Sequence, residues 1–307
     1  MSQISLRLGS RGSRLALVQA EMVRARLAER GTPADITVVK TSGDRIQDRS
    51  LADAGGKGLF TKELEDALLG ERIDLAVHSM KDVPAVVPDG LSIAAVLPRE
   101  DPRDAFVSKI ASSLETLPKG ARIGTSSVRR QAQVARVRPD AELALLRGNL
   151  DTRLGKLDAG DYDAIILAYA GLKRLGLEAR ASMVLPADSW LPALSQGAIG
   201  IETRADDART RSALATLNDA TTEIALACER AFQDALCGSC RSAIAGIATI
   251  AGNSLSFRGE VLAPDGSEFT ETSFSIELGE DALGEAERAG REAGLALKPR
   301  AMRWLAL

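Results

Sequence analysis

The sequence predicts an α/β protein with two doubly wound domains around a cleft, followed by an α+β domain with an antiparallel sheet. Strand and helix patterns alternate in two successive runs, which the breakers Pro98, Pro102 and Pro118 separate. From about residue 221 the pattern changes to long alternating segments that are typical of antiparallel strands. The length of 307 residues allows two or three domains, each with a core of its own.

The first run predicts a parallel sheet covered by helices. Apolar residues at helical spacing indicate helices over 13–30 and 59–69. Short apolar runs indicate strands at 5–8, 36–39 and 73–77. We assign residues 1–97 and 198–216 to this first domain.

The second and third domains follow from the same kind of pattern. Residues 101–194 form the second, with strands at 122–124, 142–146 and 163–169 and helices over 127–138 and 150–159. Residues 220–307 form the third, with a helix that ends at 236 and a closing helix over 281–297. Its three strands, at 243–251, 254–262 and 268–276, are joined at the turn signals Gly252-Asn253 and Asp265-Gly266.

Composition excludes several classes of protein. A net charge of -3 argues against nucleic acid as a partner, because nucleic-acid-binding domains usually carry a basic stripe. No run of about 18 apolar residues is present, so we expect no membrane partner. The N-terminus lacks the pattern of a signal peptide, and the expectation is a cytoplasmic monomer.

Cysteine spacing makes a metal site a poor explanation of this chain. Cys228, Cys237 and Cys240 lie within one short segment, and His78 is the only histidine. Zinc sites normally take four ligands at paired spacings, so we predict no metal. Cys237 and Cys240 also have the spacing of a dithiol redox site, although such a motif normally follows the first strand of a thioredoxin-like unit.

Polar residues follow the predicted strands of the first two domains at one edge of each sheet. Asp82, beside Lys81, comes soon after the strand at 73–77. Arginines follow the other strands: Arg11, Arg129, Arg130, Arg147 and Arg174. Ligands of open α/β sheets bind at the carboxyl ends of strands, so these groups predict a site for a small polyanion.

Helix starts add backbone donors to this edge. The segments 125–127 and 148–149 precede predicted helices, whose first N–H groups have no partner within the helix and can bind anions. The side chains of Ser126, Asn149 and Asp151 are also ordinary N-cap candidates. A cation near a helix start opposes the dipole, so Arg129 and Arg130 require an anion between them.

A long polar connection, 42–58, contains several glycines and ends with Lys57 next to a predicted helix start. Long loops in compact domains are often lids or binding loops, although a plain surface loop is the alternative. We expect this loop to close over an anionic ligand.

Several motifs together resemble the porphobilinogen deaminase (hydroxymethylbilane synthase) family. They are HSMKDVP (78–84), GTSSVRRQAQ (124–133), LRGNLDTRL (146–154), LAYAGLKRLG (167–176), LPALSQGAIGIE (191–202) and LCGSC (236–240). They follow the order of that family and span nearly the whole chain. Ser239 and Ala243 depart from the glycine and proline that are usual in the family's cysteine loop.

The resemblance implies an enzyme that joins four porphobilinogen molecules head to tail with loss of ammonia, and then releases hydroxymethylbilane by hydrolysis. A covalent dipyrromethane cofactor would act as primer, with its thioether on Cys240, and Asp82 would be the catalytic acid. The resemblance places these residues around primer and substrate: Arg11, Ser13, Lys57, Lys81, Thr125, Ser126, Ser127, Arg129, Arg130, Arg147, Gly148, Asn149, Arg153, Ala168, Gly171, Arg174 and Gln196.

Two alternatives belong to other classes of protein. Two α/β domains around a cleft are also similar to periplasmic-binding-protein domains, so a non-catalytic protein that binds small anions is the first. A dithiol oxidoreductase built on Cys237 and Cys240 is the second. A covalently bound dipyrromethane distinguishes the deaminase from both.

Overall fold

The computed structural model describes residues 5–45, 58–236 and 242–305. The chain begins with β1 (Leu6–Ser10), α1 (Arg14–Glu29), β2 (Ala34–Val38), α2 (Ser42–Arg45), α3 (Lys62–Leu69), β3 (Leu75–Ser79) and β4 (Leu91–Val96). It continues with β5 (Asp104–Ser108), β6 (Arg122–Gly124), α4 (Val128–Val137), β7 (Glu142–Ala144), α5 (Leu150–Asp158), β8 (Ala164–Ala168), α6 (Tyr169–Arg174) and β9 (Met183–Val184). It ends with β10 (Ile199–Arg204), α7 (Ala208–Ala215), α8 (Ala220–Ala235), β11 (Ala243–Ala251), β12 (Ser254–Leu262), β13 (Phe269–Glu277) and α9 (Ala282–Leu305).

Two five-stranded sheets form the first two domains, and both are mixed rather than purely parallel. The strand orders are β2-β1-β3-β10-β4 and β7-β6-β8-β5-β9. In each sheet the first three strands are parallel, as the sequence predicts, and the fourth is antiparallel to its neighbours. The parallel pairing predicted for the assigned strands is therefore confirmed, and the antiparallel pairing comes from β10 and β5, which the sequence pattern did not assign.

Two segments of the chain cross between the first two domains, and together they form what we call the hinge. One joins β4 to β5, and the other joins β9 to β10. The second contains Ser195 and Gly197, with φ of 61° and 90°. A Cβ on Gly197 would lie 2.3 Å from the carbonyl oxygen of Glu100 on the first crossing, so only glycine allows the two crossings to pack this closely.

The third domain packs α8 and α9 against the antiparallel sheet β11-β12-β13. Phe232 of α8 and Phe257 of β12 lie at its centre, with ring centroids 4.8 Å apart. α9 is longer than predicted and continues through Pro299. Buried Leu297, Ala301 and Trp304 extend its apolar face, and this packing outweighs the lost helix hydrogen bond.

Capping residues fix the helix starts that border the cleft. Ser13, Ser127 and Asn149 are the N-caps of α1, α4 and α5, and each side chain accepts a hydrogen bond from a backbone N–H of the first turn.

Within the described part of the chain, no helix has the length and apolar character that crossing a membrane requires.

Candidate active site

A cavity of about 820 Å³ lies between the first two domains and reaches the third. Asp82 and Arg11 come from the first domain, Arg147 and Arg153 from the second, and Ser242 from the third. Its walls therefore combine the carboxyl ends of strands from both sheets, the location that the sequence predicts.

The electrostatics of the cavity suit a polyanion. Among the described residues eight cationic side chains line it: Arg11, Arg14, Lys40, Lys81, Arg129, Arg130, Arg147 and Arg153. The lining carboxylates are Asp82 and Asp151. This excess of positive charge contrasts with the net charge of -3 for the whole chain.

Asp82 ends a short 3-10 turn, Met80–Asp82, directly after β3. Its side chain remains 33% exposed, and one carboxylate oxygen lies 4.0 Å from an Arg11 nitrogen. The Arg11 guanidinium also lies over the ring of Phe60, 4.1 Å from its centroid. The carboxylate can therefore reach a ligand in the cavity while the Arg11 cation lies nearby.

Lys81 points to the same region and donates a hydrogen bond of 3.2 Å to the side-chain oxygen of Gln196. Burial, reinforced by Arg130, lowers the pKa of the Lys81 ammonium to about 8, although Asp82 opposes the shift. A carboxylate bound beside Lys81 would raise this pKa again. Lys81 is therefore mostly charged at neutral pH and can pair with an anionic ligand.

A buried carboxylate that the sequence reading missed, Asp104, organises the arginine pair of α4. Asp104 begins β5 and accepts hydrogen bonds of 2.8 Å from Arg129 and 2.6 Å from Arg130. Trp190 and Gln196 donate two more, at 2.9 and 2.8 Å. The two guanidinium groups hold the pKa of Asp104 far below its ordinary value, although burial opposes that shift.

This arrangement corrects one expectation about Arg129 and Arg130. The anion that the pair requires is supplied by the protein, in Asp104. Both arginines still line the cavity, but they are 4% and 5% exposed and part of their donor capacity is used internally. Their contribution to an anionic ligand is therefore mainly electrostatic and depends on Asp104.

Replacement of Asp104 by asparagine is expected to lower the free energy of unfolding by about 3–5 kcal/mol, because it leaves two buried cations without their carboxylate. The depressed pKa of Asp104 means that its stabilisation is complete above the ordinary carboxyl pKa and declines as the pH falls below about 4. Urea unfolding at pH 7 and at acid pH measures both effects.

The control for this experiment is Asp101→Asn, at a carboxylate that is 17% exposed and pairs with Arg103. We expect this change to cost less than about 1 kcal/mol, because the partner side chain, Arg103, is 41% exposed and water can replace part of the lost contact. Equal losses in the two variants would show that Asp104 has no special role.

Arg147 and Arg153 follow β7 and lie on the cavity wall. Arg153 donates a 2.9 Å hydrogen bond to the carbonyl of Gly148, whose φ is 113°. Burial, with the like charges of Arg130 and Arg147, lowers the pKa of Arg153 to about 10. Burial also lowers the pKa of Arg147. Such crowding of cations is relieved by bound carboxylates, so these residues fit a ligand that bears several acidic groups.

The predicted hydroxyl and amide donors have local partners. Ser126 donates to the carbonyl of Leu146, and the hydroxyl of Thr125 accepts from the backbone N–H of Ser127. Ser13, Ser127 and Asn149 act as helix caps, the ordinary interpretation of these residues. Four of these five predicted donors still line the cavity: Ser13, Ser126, Ser127 and Asn149.

Arg174 and Thr125 are not among the residues that line the cavity. Arg174 donates a 2.6 Å hydrogen bond to the carbonyl of Gly197 on the hinge, and its burial lowers its pKa to about 10. The sequence brought Arg174 to the correct end of β8 but could not show that its side chain turns toward the hinge.

The remaining predicted residues divide into two groups. Ala168, Gly171, Gly148 and Gln196 line the cavity, and a Cβ on Gly171 would lie 3.2 Å from Leu150. Lys57, Cys237 and Cys240 lie outside the described residues. Gln233 and Ser242, on the two sides of the segment 237–241, both line the cavity.

Comparison with known protein families gives a match over most of the chain. Residues 6–212 match the model of "porphobilinogen deaminase, dipyromethane cofactor binding domain", and residues 224–299 match "porphobilinogen deaminase, C-terminal domain".

Curated proteins named porphobilinogen deaminase are similar to this chain. The one from Nitrobacter hamburgensis is 50% identical over 298 residues, which cover 96% of this chain and 93% of the relative. The one from Nitrobacter winogradskyi is 51% identical over 296 residues, which cover 93% of this chain and 94% of the relative.

Among solved structures, a periplasmic substrate-binding protein of an ABC transporter from Coxiella burnetii is 13% identical, with a TM-score of 0.44 over 69% of this chain and 91% of that protein.

Proposed function

The chain belongs to the porphobilinogen deaminase family, and from this premise we propose that Asp82 is its catalytic acid and Cys240 the attachment point of its primer. The enzyme is a hydroxymethylbilane synthase, a transferase of tetrapyrrole and haem biosynthesis. It joins four porphobilinogen molecules head to tail with loss of ammonia and then releases hydroxymethylbilane by hydrolysis.

One observation carries the assignment of Asp82. Its carboxylate is the partly exposed acid that follows β3 in a cavity whose other charged groups are mostly cations. In acid form Asp82 can protonate the leaving amine of porphobilinogen as its carbon–nitrogen bond breaks. The resulting carboxylate then faces the cation left on the pyrrole, which a fixed negative charge stabilises.

Dipyrromethane is the cofactor of the family domain that residues 6–212 match. When bound, it supplies the pyrrole carbon to which the first substrate unit is joined. Arg11, Arg147, Arg153 and Lys81 would hold its carboxylates and those of the growing chain, since their guanidinium and ammonium groups line the cavity. Gln196 would fix the position of Lys81 through the hydrogen bond between their side chains.

Arg11 would also position a carboxylate of the ligand. It lies near Asp82 and over Phe60 at the same time, so it holds a carboxylate of the substrate or primer close to the acid. Positioning of this kind converts a bimolecular step into an effectively unimolecular one, which is a large part of catalysis.

The proposed enzyme acts as a cytoplasmic monomer on the small molecule porphobilinogen. Residues of one chain, from all three domains, line the cavity, so one copy can provide the site without a partner. Thioether formation needs a reduced thiol, which the cytoplasm maintains. Sedimentation analysis and cell fractionation test these two statements.

Intact mass spectrometry tests the proposed function. We expect the purified protein to exceed its sequence mass by two porphobilinogen units less two ammonia molecules, because each unit joins with loss of one ammonia. Addition of substrate should produce further discrete increments together with free ammonia. An acidic aldehyde reagent for pyrroles should also give a colour with the intact protein.

The same experiment separates the alternatives. A non-catalytic binding protein would show the unmodified mass and would release no ammonia, and the family match does not favour it. A dithiol oxidoreductase would show a change of two hydrogens on reduction and no pyrrole colour. Either result would overturn the proposal.

A further inference from the structure

Arg230 of α8 donates hydrogen bonds to three consecutive backbone carbonyls in the first domain. The acceptors are Val83, Pro84 and Ala85, at 3.4, 2.7 and 2.8 Å. They directly follow Asp82 in the chain. One side chain of the third domain therefore holds the segment that leaves the proposed catalytic acid.

Apolar packing also holds the start of this segment, because buried Val83 lies in a cluster with Met80 and Leu226 of α8. The segment forms neither helix nor strand, and Pro84 has no N–H to donate. Val83 precedes the proline and is extended, with φ of -86° and ψ of 126°. The N–H of Val83 closes the turn that carries Asp82, by a 3.2 Å hydrogen bond to the carbonyl of Met80. A shift of these carbonyls would therefore move the turn.

The guanidinium of Arg230 is held at a desolvation cost. Burial lowers the pKa of Arg230 to about 10, with Glu202 opposing the shift. Among the described residues, its hydrogen bonds go to these backbone carbonyls and to no carboxylate. The group thus serves as a multiple donor rather than as half of an ion pair.

The part of α8 that carries Arg230 is held by several hydrogen bonds to a buried carboxylate. The preceding residue, Glu229, is fully buried and accepts 2.6 and 3.1 Å hydrogen bonds from Arg99 on one hinge crossing. It also accepts from the backbone N–H groups of Ser195, on the other crossing, and Ala248, of β11. Two adjacent residues of α8 therefore hold the hinge and the segment after Asp82.

We propose that Arg230 is a positioning residue, which fixes Asp82 relative to the domain that contains the attachment cysteine. The inference rests on the proposed role of Asp82 and goes beyond it. It follows that the acid keeps its place because a helix of the third domain holds the three residues that follow it in the chain.

Arg230→Met removes the three donors and keeps much of the side-chain length. In holoprotein whose primer is confirmed by mass, we expect kcat to fall roughly ten- to a hundredfold, with KM for porphobilinogen within about twofold of the parent. A misplaced acid affects the chemical step, whereas the substrate-binding arginines remain in place. Arg230→Lys, which keeps the charge and some donors, should fall between the two.

Arg138→Met is the control, at an arginine that also forms an ion pair with Asp140. Arg138 also donates to three loop carbonyls, those of Leu114, Leu117 and Pro118, but it lies in the second domain and does not line the cavity. We expect this variant to lose thermal stability and to keep its kcat. An equal loss of kcat in Arg138→Met would show that general loosening explains the effect, and would overturn the proposal.

A double-mutant cycle tests whether Arg230 acts through Asp82. Arg230→Met should cause no further loss of kcat when Asp82 is already asparagine, because the group that it positions is absent. Full additivity of the two losses would overturn the proposal. If Asp82→Asn is inactive but Arg230→Met or Arg230→Lys has a normal kcat, the positioning role alone is overturned. If Asp82→Asn is active, the proposed function of Asp82 is overturned.

Discussion

Asp82→Asn protein is expected to lose turnover by at least about a hundredfold while its fold and its affinity for carboxylates survive. The substitution keeps the size of the side chain but removes the transferable proton and the negative charge. Both are needed in the reaction, first for the departure of ammonia and then for the cation on the pyrrole. Ammonia release at saturating porphobilinogen measures the effect.

The surroundings of Asp82 explain why no other group should replace it. Among the described residues the other carboxylate that lines the cavity is Asp151, which forms an exposed ion pair with Arg14 at 3.0 Å. The remaining charged groups on the wall are cations, which would destabilise a developing positive charge. Loss of Asp82 should therefore leave a site that binds but turns over poorly.

Asp151→Asn is the matched control for this experiment. It makes the same chemical change at the second carboxylate of the cavity, in a pair whose partners are both about half exposed. We expect turnover within about threefold of the parent, since exposed ion pairs contribute little. Near-normal ammonia release from Asp82→Asn, or an equal loss from Asp151→Asn, contradicts the catalytic assignment.

The sequence predicted those parts of the site that local patterns determine. Asp82 and Arg147 follow strands whose apolar runs are easy to recognise, and strand ends lie together in an open α/β sheet. Helix caps such as Ser127 and Asn149 were equally readable, because a cap is a contact within a few residues.

Other parts could not be predicted, because they depend on contacts between distant segments. Asp104 is the first residue of a short apolar strand and has no local signal for its role. Its partners lie 25, 26, 86 and 92 residues further along the chain. Arg230 is similar, since it donates hydrogen bonds to carbonyls about 146 residues earlier in the chain. The arginine pair suggested that an anion must be near, but tertiary packing decided which anion it was.

Cys240→Ser protein is expected to carry no covalent primer and to lose all synthesis, whereas Cys237→Ser protein should retain both. A serine hydroxyl is a much weaker nucleophile than a thiolate, so the thioether cannot form. Intact mass gives the result directly, as the presence or absence of two substrate units less two ammonia. Peptide mapping then identifies the modified residue.

The described residues limit the choice of cysteine. Cys228 is fully buried in the core of the third domain, where burial raises the pKa of its thiol far above the ordinary value. It is therefore inert toward an electrophile, and Cys228→Ser should retain the primer. In the sequence, Cys237 directly follows Leu236, which is buried in that same core. Cys240 comes two residues before Ser242, and Ser242 lines the cavity. A primer mapped to Cys237, or retained in full by Cys240→Ser, would show that the attachment point has been assigned to the wrong thiol.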